Sequence, residues 1–388
     1  MRLPAETNEN GNSLFPILPA GLTGLVKLAA EARHADDGHL VEFREMQVRS
    51  ILNRSIPKRQ LWLDYSINPF RGCEFGCRYC YARYTHEFLA PKPDAALRTG
   101  QSPDDLDGQG GDPPPADLRD PEAFERIIFL KQNAAWLLEQ DLRRVGPSQQ
   151  IALGTATDPY QPIERRVKIT RSILEVFARK DGYRLGIVTK SNLIERDIDL
   201  LVEIGRRNTL TVHITITTPN AVLARKLEPR APRPDLRFDA VRKLREAGII
   251  TGILCCPLLP GITDSAKAID GMARRAAAVG ASFFAANPLF LKSCSRPTYV
   301  QFLRDHFPSL LQDYKTRFGA ADFAKPAYSR QLAKLVERAC LQHGLRARST
   351  DDLLARNSDC DSLPELRRKP PQRIGEEVQQ QLFGACVR

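Results

Sequence analysis

Three cysteines stand close together in the run Cys73-Glu74-Phe75-Gly76-Cys77-Arg78-Tyr79-Cys80, at the spacing Cys-x3-Cys-x2-Cys. Three thiolates on one tight loop can hold a metal, and the spacing leaves two readings open. A structural zinc site closes its tetrahedron with four protein ligands, and the nearest candidate for the fourth is His86. Iron–sulfur clusters also take cysteine thiolates, usually four. A cubane held by only three cysteines keeps one iron open to a substrate or cofactor, which is a catalytic arrangement.

Cys73-x3-Cys77-x-Tyr79-Cys80, with the aromatic residue before the last cysteine, resembles the cluster motif of the radical S-adenosylmethionine (SAM) enzymes. The resemblance implies a [4Fe-4S] cluster on Cys73, Cys77 and Cys80 whose open iron chelates the amino and carboxylate groups of SAM. An electron from the cluster then cleaves the sulfonium and releases a 5′-deoxyadenosyl radical, so the cofactor does the hard chemistry and the protein positions it. The electron implies an external donor such as a flavodoxin or ferredoxin. Two readings from other classes stand beside it: a non-catalytic iron–sulfur redox or nucleic-acid-binding protein, and a zinc-stabilised binding module. A confirming fold context separates them.

That context begins with length and composition. A chain of 388 residues, 42% hydrophobic, can bury one large core with appendages. No apolar run approaches the roughly 18 residues that span a bilayer, and the N-terminus lacks the pattern of a secretory signal, so a soluble, cytoplasmic protein is expected. The odd count of nine cysteines fits a reducing compartment better than a disulfide framework. A net charge of +11 is compatible with nucleic acid as substrate or partner. Oligomeric state is not readable.

The elements that must position the cysteines follow from periodicity. Residues 1–55 read as an extension that packs on the core through short pieces. From Ile56 to Arg71 the alternation of Leu61, Leu63, Tyr65 and Ile67 reads as a strand feeding the cysteine loop. Residues 90–121 hold seven Pro, four Gly and seven Asp, a composition that predicts a disordered insertion. The apolar positions from Phe124 to Leu142 predict helix, interrupted near Lys131-Gln132.

Strands are then expected at Ile151–Leu153, Leu185–Thr189, Leu210–Thr217, Ile249–Cys256 and Ser282–Ala286. Helices over Val167–Arg179, Leu193–Arg206, Asp235–Ala247 and Ser265–Val279 separate them. This alternation predicts parallel βαβ units with right-handed crossovers. Six strands give an α/β fold, a partial (β/α)6 TIM-like barrel of the radical SAM type over 56–297. A C-terminal helical segment at 298–345 and a weakly ordered tail at 346–388 follow.

In such barrels chemistry gathers past the C-terminal ends of the strands. There stand Gly154-Thr155-Ala156-Thr157-Asp158-Pro159, Thr189-Lys190-Ser191 and Thr215-Ile216-Thr217-Thr218, a cation and several hydroxyls on one rim. With Asn68-Pro-x-Arg71-Gly-Cys73, Tyr81-Ala-Arg83, Thr85-His86-Glu87 and Leu227-Glu228-Pro229-Arg230, these stretches are similar to the spore photoproduct lyase-like radical SAM proteins over residues 56–290. The likeness implies SAM contacts from Thr157, Lys190 and Thr215, with Lys190 at the carboxylate. It also places Tyr79 and the backbone at Cys256-Pro257 by the adenine.

Glu228 and Arg230 read as ion-pairing residues of the rim. In the lyase a cysteine immediately before the hydroxyl–Asp pair donates hydrogen to the product radical; here that place is Ala156, so the lyase reaction itself is not expected. Cys255 and Cys256 read as core, and Cys294, in the polar run Lys292-Ser293-Cys294-Ser295, is the candidate substitute donor. The expected activity is hydrogen abstraction from a large substrate.

Overall fold

The structure is a computed structural model that describes residues 41–54, 63–87, 89, 118–146 and 149–347. The expectations for residues 1–40, for most of the Pro/Asp-rich segment (90–117) and for the tail beyond 347 lie outside the described residues. Eleven strands are described. They are β1 (Glu42–Glu45), β2 (Leu52–Arg54), β3 (Tyr65–Ile67), β4 (Phe70–Arg71), β5 (Ile127–Leu130), β6 (Gln150–Leu153), β7 (Arg184–Thr189), β8 (Thr209–Thr215), β9 (Thr251–Leu258), β10 (Phe283–Pro288) and β11 (Arg346–Ala347).

The main sheet has the order β2-β3-β6-β7-β8-β9-β10-β11, in which every neighbouring pair except β2–β3 is parallel. The six strands β3 and β6 to β10 therefore lie side by side in chain order. Right-handed crossovers in that order keep every connecting helix on one face of the sheet, which is the topology of a barrel and not of a doubly wound sheet. The edges β2 and β11 do not pair, so the barrel is open, as the six-unit alternation predicts.

Apolar patterning explains the packing. All seven residues of β8 are buried, as expected of a central parallel strand covered on both faces. Ile187, Val212, Ile214 and Ile253 meet Ile173, Phe177, Ile204, Leu244 and Met272 from helices Ile169–Ala178, Ile198–Arg207, Pro234–Glu246 and Ala266–Ala278. Each such side chain contributes about 1.5–3 kcal/mol by leaving water. Helix starts are fixed locally: Asn220 Oδ1 accepts from the amides of Val222 and Leu223 at 2.9 and 3.0 Å, Ser265 Oγ accepts from Ala268 at 3.2 Å, and Pro234 and Pro326 occupy first turns. The last described helix, Pro326–Gln342, sends Leu332, Val336, Ala339 and Cys340 into this same core.

Two expectations are corrected. The stretch expected as helix from Phe124 is split: Ala123–Arg126 is one helical turn, Ile127–Leu130 is strand β5, and helix resumes at Ala134–Asp141. The β-branched and aromatic run Ile-Ile-Phe-Leu takes the extended form because partners exist for it, β1 in parallel and β4 antiparallel, which together make a second, three-stranded sheet. The long strand expected up to Arg71 is also divided. β3 ends at Ile67, and Phe70–Arg71 turns away into the small sheet, which holds the chain directly ahead of Cys73.

Candidate active site around the cysteine loop

The loop Gly72–Cys80 is shaped by two glycines and braced from four sides. Gly72 (φ +89°) and Gly76 (φ +61°) adopt left-handed conformations. A Cβ on Gly72 would stand 2.7 Å from the Ile127 carbonyl oxygen, and one on Gly76 would collide with the Arg230 guanidinium. The Cys73 amide donates to Phe124 O at 2.9 Å and the Arg78 amide to Leu227 O at 2.9 Å. The Glu74 amide donates to Gln161 Oε1 at 2.8 Å, and Thr157 Oγ1 donates to Gly72 O at 2.6 Å. Ser295 Oγ donates to Cys80 O at 2.7 Å. The buried Arg83 donates to Cys77 O and pairs with Glu125 at 2.6 Å, and Glu125 also meets Arg230 at 3.6 Å.

Cys73 and Cys77 are buried and Cys80 is half-buried. Burial pushes all three thiols up, Cys77 to about 12; Asp158 and the neighbouring thiols push Cys73 up further, and Cys80 does the same to Cys77. Such thiols become thiolates only when a positive centre sits against them, and the nearby cations Lys190 and Arg83 pull in that direction. Three thiols on a preorganised loop beside an available ammonium fit a [4Fe-4S] cluster with one open iron. His86, the candidate fourth zinc ligand, is committed elsewhere: its Nε2 lies 2.9 Å from Ile127 O and its ring packs against Phe124 and Phe129. Among the described residues no three His, Cys, Asp or Glu side chains form a single-ion site.

A buried polar network lies beneath the loop. Glu228, which follows helix Ala221–Leu227, pairs with Arg237 at 2.6 Å and accepts hydrogen bonds from the Tyr79 hydroxyl and from Thr217 Oγ1, the latter at 2.8 Å. Burial opposes the Glu228 charge, but Arg237 and Lys190 outweigh it and hold the carboxyl below its usual range. Lys190 Nζ stands 5.8 Å above the Tyr79 ring. Burial pushes its pKa down, Cys77 and Glu228 push it up further, and the ammonium stays charged. Asp158 fixes its backbone, accepting from Lys190 N at 2.7 Å, Thr189 Oγ1 at 2.6 Å and Tyr160 N at 2.9 Å.

The structure thus brings Tyr79, Thr157 and Lys190 to the cysteine loop. Thr157 spends its hydroxyl on Gly72. Thr215 is buried at the end of β8, its carbonyl accepting from Arg237 at 3.1 Å, and Cys256 lies on β9 with Asn287 Nδ2 at 3.7 Å from its sulfur. Cys255 is buried, as expected of a core residue. Cys294 Sγ lies 3.8 Å from Tyr81 O and 3.6 Å from Ser295 Oγ, next to the third cysteine. Sequence reasoning missed Arg237 and Glu125. Arg237 carried a signal, a charge at i on the apolar face of Val241 and Leu244 at i+4 and i+7; Glu125 carried none.

The fold and this loop define a class, and the comparisons agree: the model of the radical SAM superfamily matches residues 67–272. The chain belongs to the radical SAM superfamily, whose members work with a [4Fe-4S] cluster, SAM and an external reductant. It is 29% identical over 326 residues to uncharacterized proteins of Mycobacterium tuberculosis and Mycobacterium bovis, covering 83% of this chain and 87% of theirs. An uncharacterized protein of Methanocaldococcus jannaschii is 27% identical over 200 residues, 52% of this chain and 62% of that one. Among solved structures, a spore photoproduct lyase variant with dinucleoside spore photoproduct superposes with a TM-score of 0.52 at 15% identity, covering 78% of this chain and 79% of that one. A variant that also carries bound AdoMet gives 0.51. The fold is therefore spore photoproduct lyase-like. No helix among the described residues is long and apolar enough to cross a membrane.

Proposed function

We propose that this chain is a radical SAM enzyme that abstracts hydrogen from a large substrate, with nucleic acid as the substrate class. Cys73, Cys77 and Cys80 hold the cluster, and Lys190 forms a charge-assisted hydrogen bond to the SAM carboxylate. When bound, the cluster and SAM supply a 5′-deoxyadenosyl radical. Tyr79 and the backbone at Cys256 face the adenine, and Thr157 and Thr215 support the site, Thr157 by bracing Gly72. Cys294 offers its S–H hydrogen to a substrate radical, the S–H bond breaking as a C–H bond forms and a sulfur radical remaining.

The observation that carries this reading is Lys190. Its ammonium sits between the thiols and the rim and makes no ion pair or hydrogen bond with any described residue, so its charge is available to an anionic ligand. The +11 net charge and the lyase-like fold support the substrate class. The test is anaerobic reconstitution with iron and sulfide, followed by SAM binding and reductive cleavage to 5′-deoxyadenosine and methionine. A charged hydrogen bond of this kind is worth roughly 1.5–3 kcal/mol, so Lys190→Met is expected to weaken SAM binding about tenfold to a hundredfold at unchanged iron content. Wild-type affinity in that variant overturns the assignment.

A further inference from the structure

Among the described residues, Lys190 is one of two ammoniums beside the cysteine loop that make no hydrogen bond or ion pair; the other is Lys292. It lies on the loop after β10, only 9% exposed, and its Nζ stands 4.7 Å from the centre of the Tyr84 ring. It makes no hydrogen bond or ion pair with any described side chain. The exposed Glu87 carboxylate acts electrostatically on Cys294 but does not pair with Lys292. The side chain is largely buried and its ammonium rests on an aromatic face with no counter-charge from a described residue, so an added anion finds it unneutralised.

Its neighbours place it at the reacting end of the site. Two residues on, the Cys294 thiol reaches toward Tyr81 O, and Ser295 ties the same loop to Cys80 O at 2.7 Å. The half-buried Tyr81 and Tyr84 belong to the turn that leaves the cysteine loop, where Cys294 lies against the Tyr81 carbonyl and Lys292 against the Tyr84 ring. None of this is required by SAM, whose carboxylate Lys190 already serves.

We propose that Lys292, on the face of Tyr84, is an anion subsite that holds a phosphodiester oxygen of the substrate beside Cys294. This rests on the substrate class proposed above. A single ammonium suits a phosphate oxygen as a point charge, whereas a carboxylate is matched better by the fork of an arginine.

The test compares a dinucleoside monophosphate with its neutral methylphosphonate isostere, by equilibrium binding to the full-length, reconstituted protein. Wild type is expected to prefer the charged compound about tenfold. Lys292→Met binds both at the level of the neutral one, and Lys292→Arg keeps much of the preference. Iron content and SAM affinity stay at wild-type values in both variants. Equal binding of the two compounds by wild type, binding of neither, or an intact preference in Lys292→Met overturns the subsite. So does a Lys292-dependent affinity for peptide carboxylates in its place. Because this readout needs no turnover, loss of the subsite is distinguishable from failure of the radical SAM reading, which shows as absent iron or SAM binding in wild type.

Discussion

Glu228→Gln tests whether the buried network beneath the cysteine loop is held by charge or only by shape. The glutamine side chain fills the same space, and its carbonyl oxygen still accepts from Tyr79 and Thr217. What it removes is the counter-charge of Arg237, 2.6 Å away, in a pair whose side chains are each 1% exposed. Leaving one member of a buried pair uncompensated costs about 3–5 kcal/mol. At roughly 2–4 °C per kcal/mol, the expected fall in Tm is about 6 °C or more. Arg237→Met strands the carboxylate instead and is expected to cost a similar amount. The double variant removes both charges and is expected to fall short of the sum of the singles by at least about 2 kcal/mol. Thermal unfolding of the four proteins, followed by circular dichroism under anaerobic conditions, gives the cycle. A Tm loss below about 2 °C in Glu228→Gln, or strict additivity, refutes the charge argument and leaves the pair as packing.

Cys77→Ala is expected to lose most of its iron on reconstitution, whereas Cys340→Ala, whose sulfur lies against Phe284 O in the core, retains it; equal iron in the two refutes the ligand assignment. His86 gives a pH dependence: burial pulls its pKa down to about 4, against about 6.5 unfolded. The unfolded chain therefore takes up a proton that the fold refuses, and stability falls as pH drops from about 6.5 to about 4, by up to roughly 3 kcal/mol. Urea unfolding of His86→Phe is expected to show a total loss of stability across that window smaller by about that amount, and an unchanged loss assigns the dependence elsewhere. Replacing residues 92–117 by a short Gly/Ser linker is expected to preserve iron and SAM binding, since loop closure costs only about 0.6 kcal/mol per doubling of length; loss of iron would make that segment part of the site.

The sequence was most informative where local pattern and tertiary structure ask for the same thing. The six barrel strands are short apolar runs between amphipathic helices, and a parallel strand covered on both faces needs no partner-specific signal, so β6 to β10 are found within about two residues of their expected places. Ile127–Leu130 was misread for the opposite reason. A four-residue apolar run is equally a piece of helix or of strand, and what decides it here is pairing with Glu42–Glu45 and Phe70–Arg71, residues far away in the chain. The same division runs through the site. Cys73, Cys77 and Cys80 are legible because one loop holds them, and Lys190 because it ends a strand. Glu125 is not, since nothing in its own turn marks a carboxylate that Arg83 and Arg230 will both seek.

Substitutions at the legible residues remove a ligand or a charge from the site itself, so their effects appear in iron or SAM binding. Substitutions at Glu125, Arg83 or Glu228 disturb the carbonyls and the phenol that hold the loop in shape, and those effects reach the same assays indirectly, through stability. Lys292 also presents a charge to the site, but its substitution is expected to appear in substrate binding and not in iron or SAM binding, and nothing in its local sequence sets it apart from a solvated lysine. What distinguishes it is burial without a counter-charge among the described residues, which only the folded chain reveals.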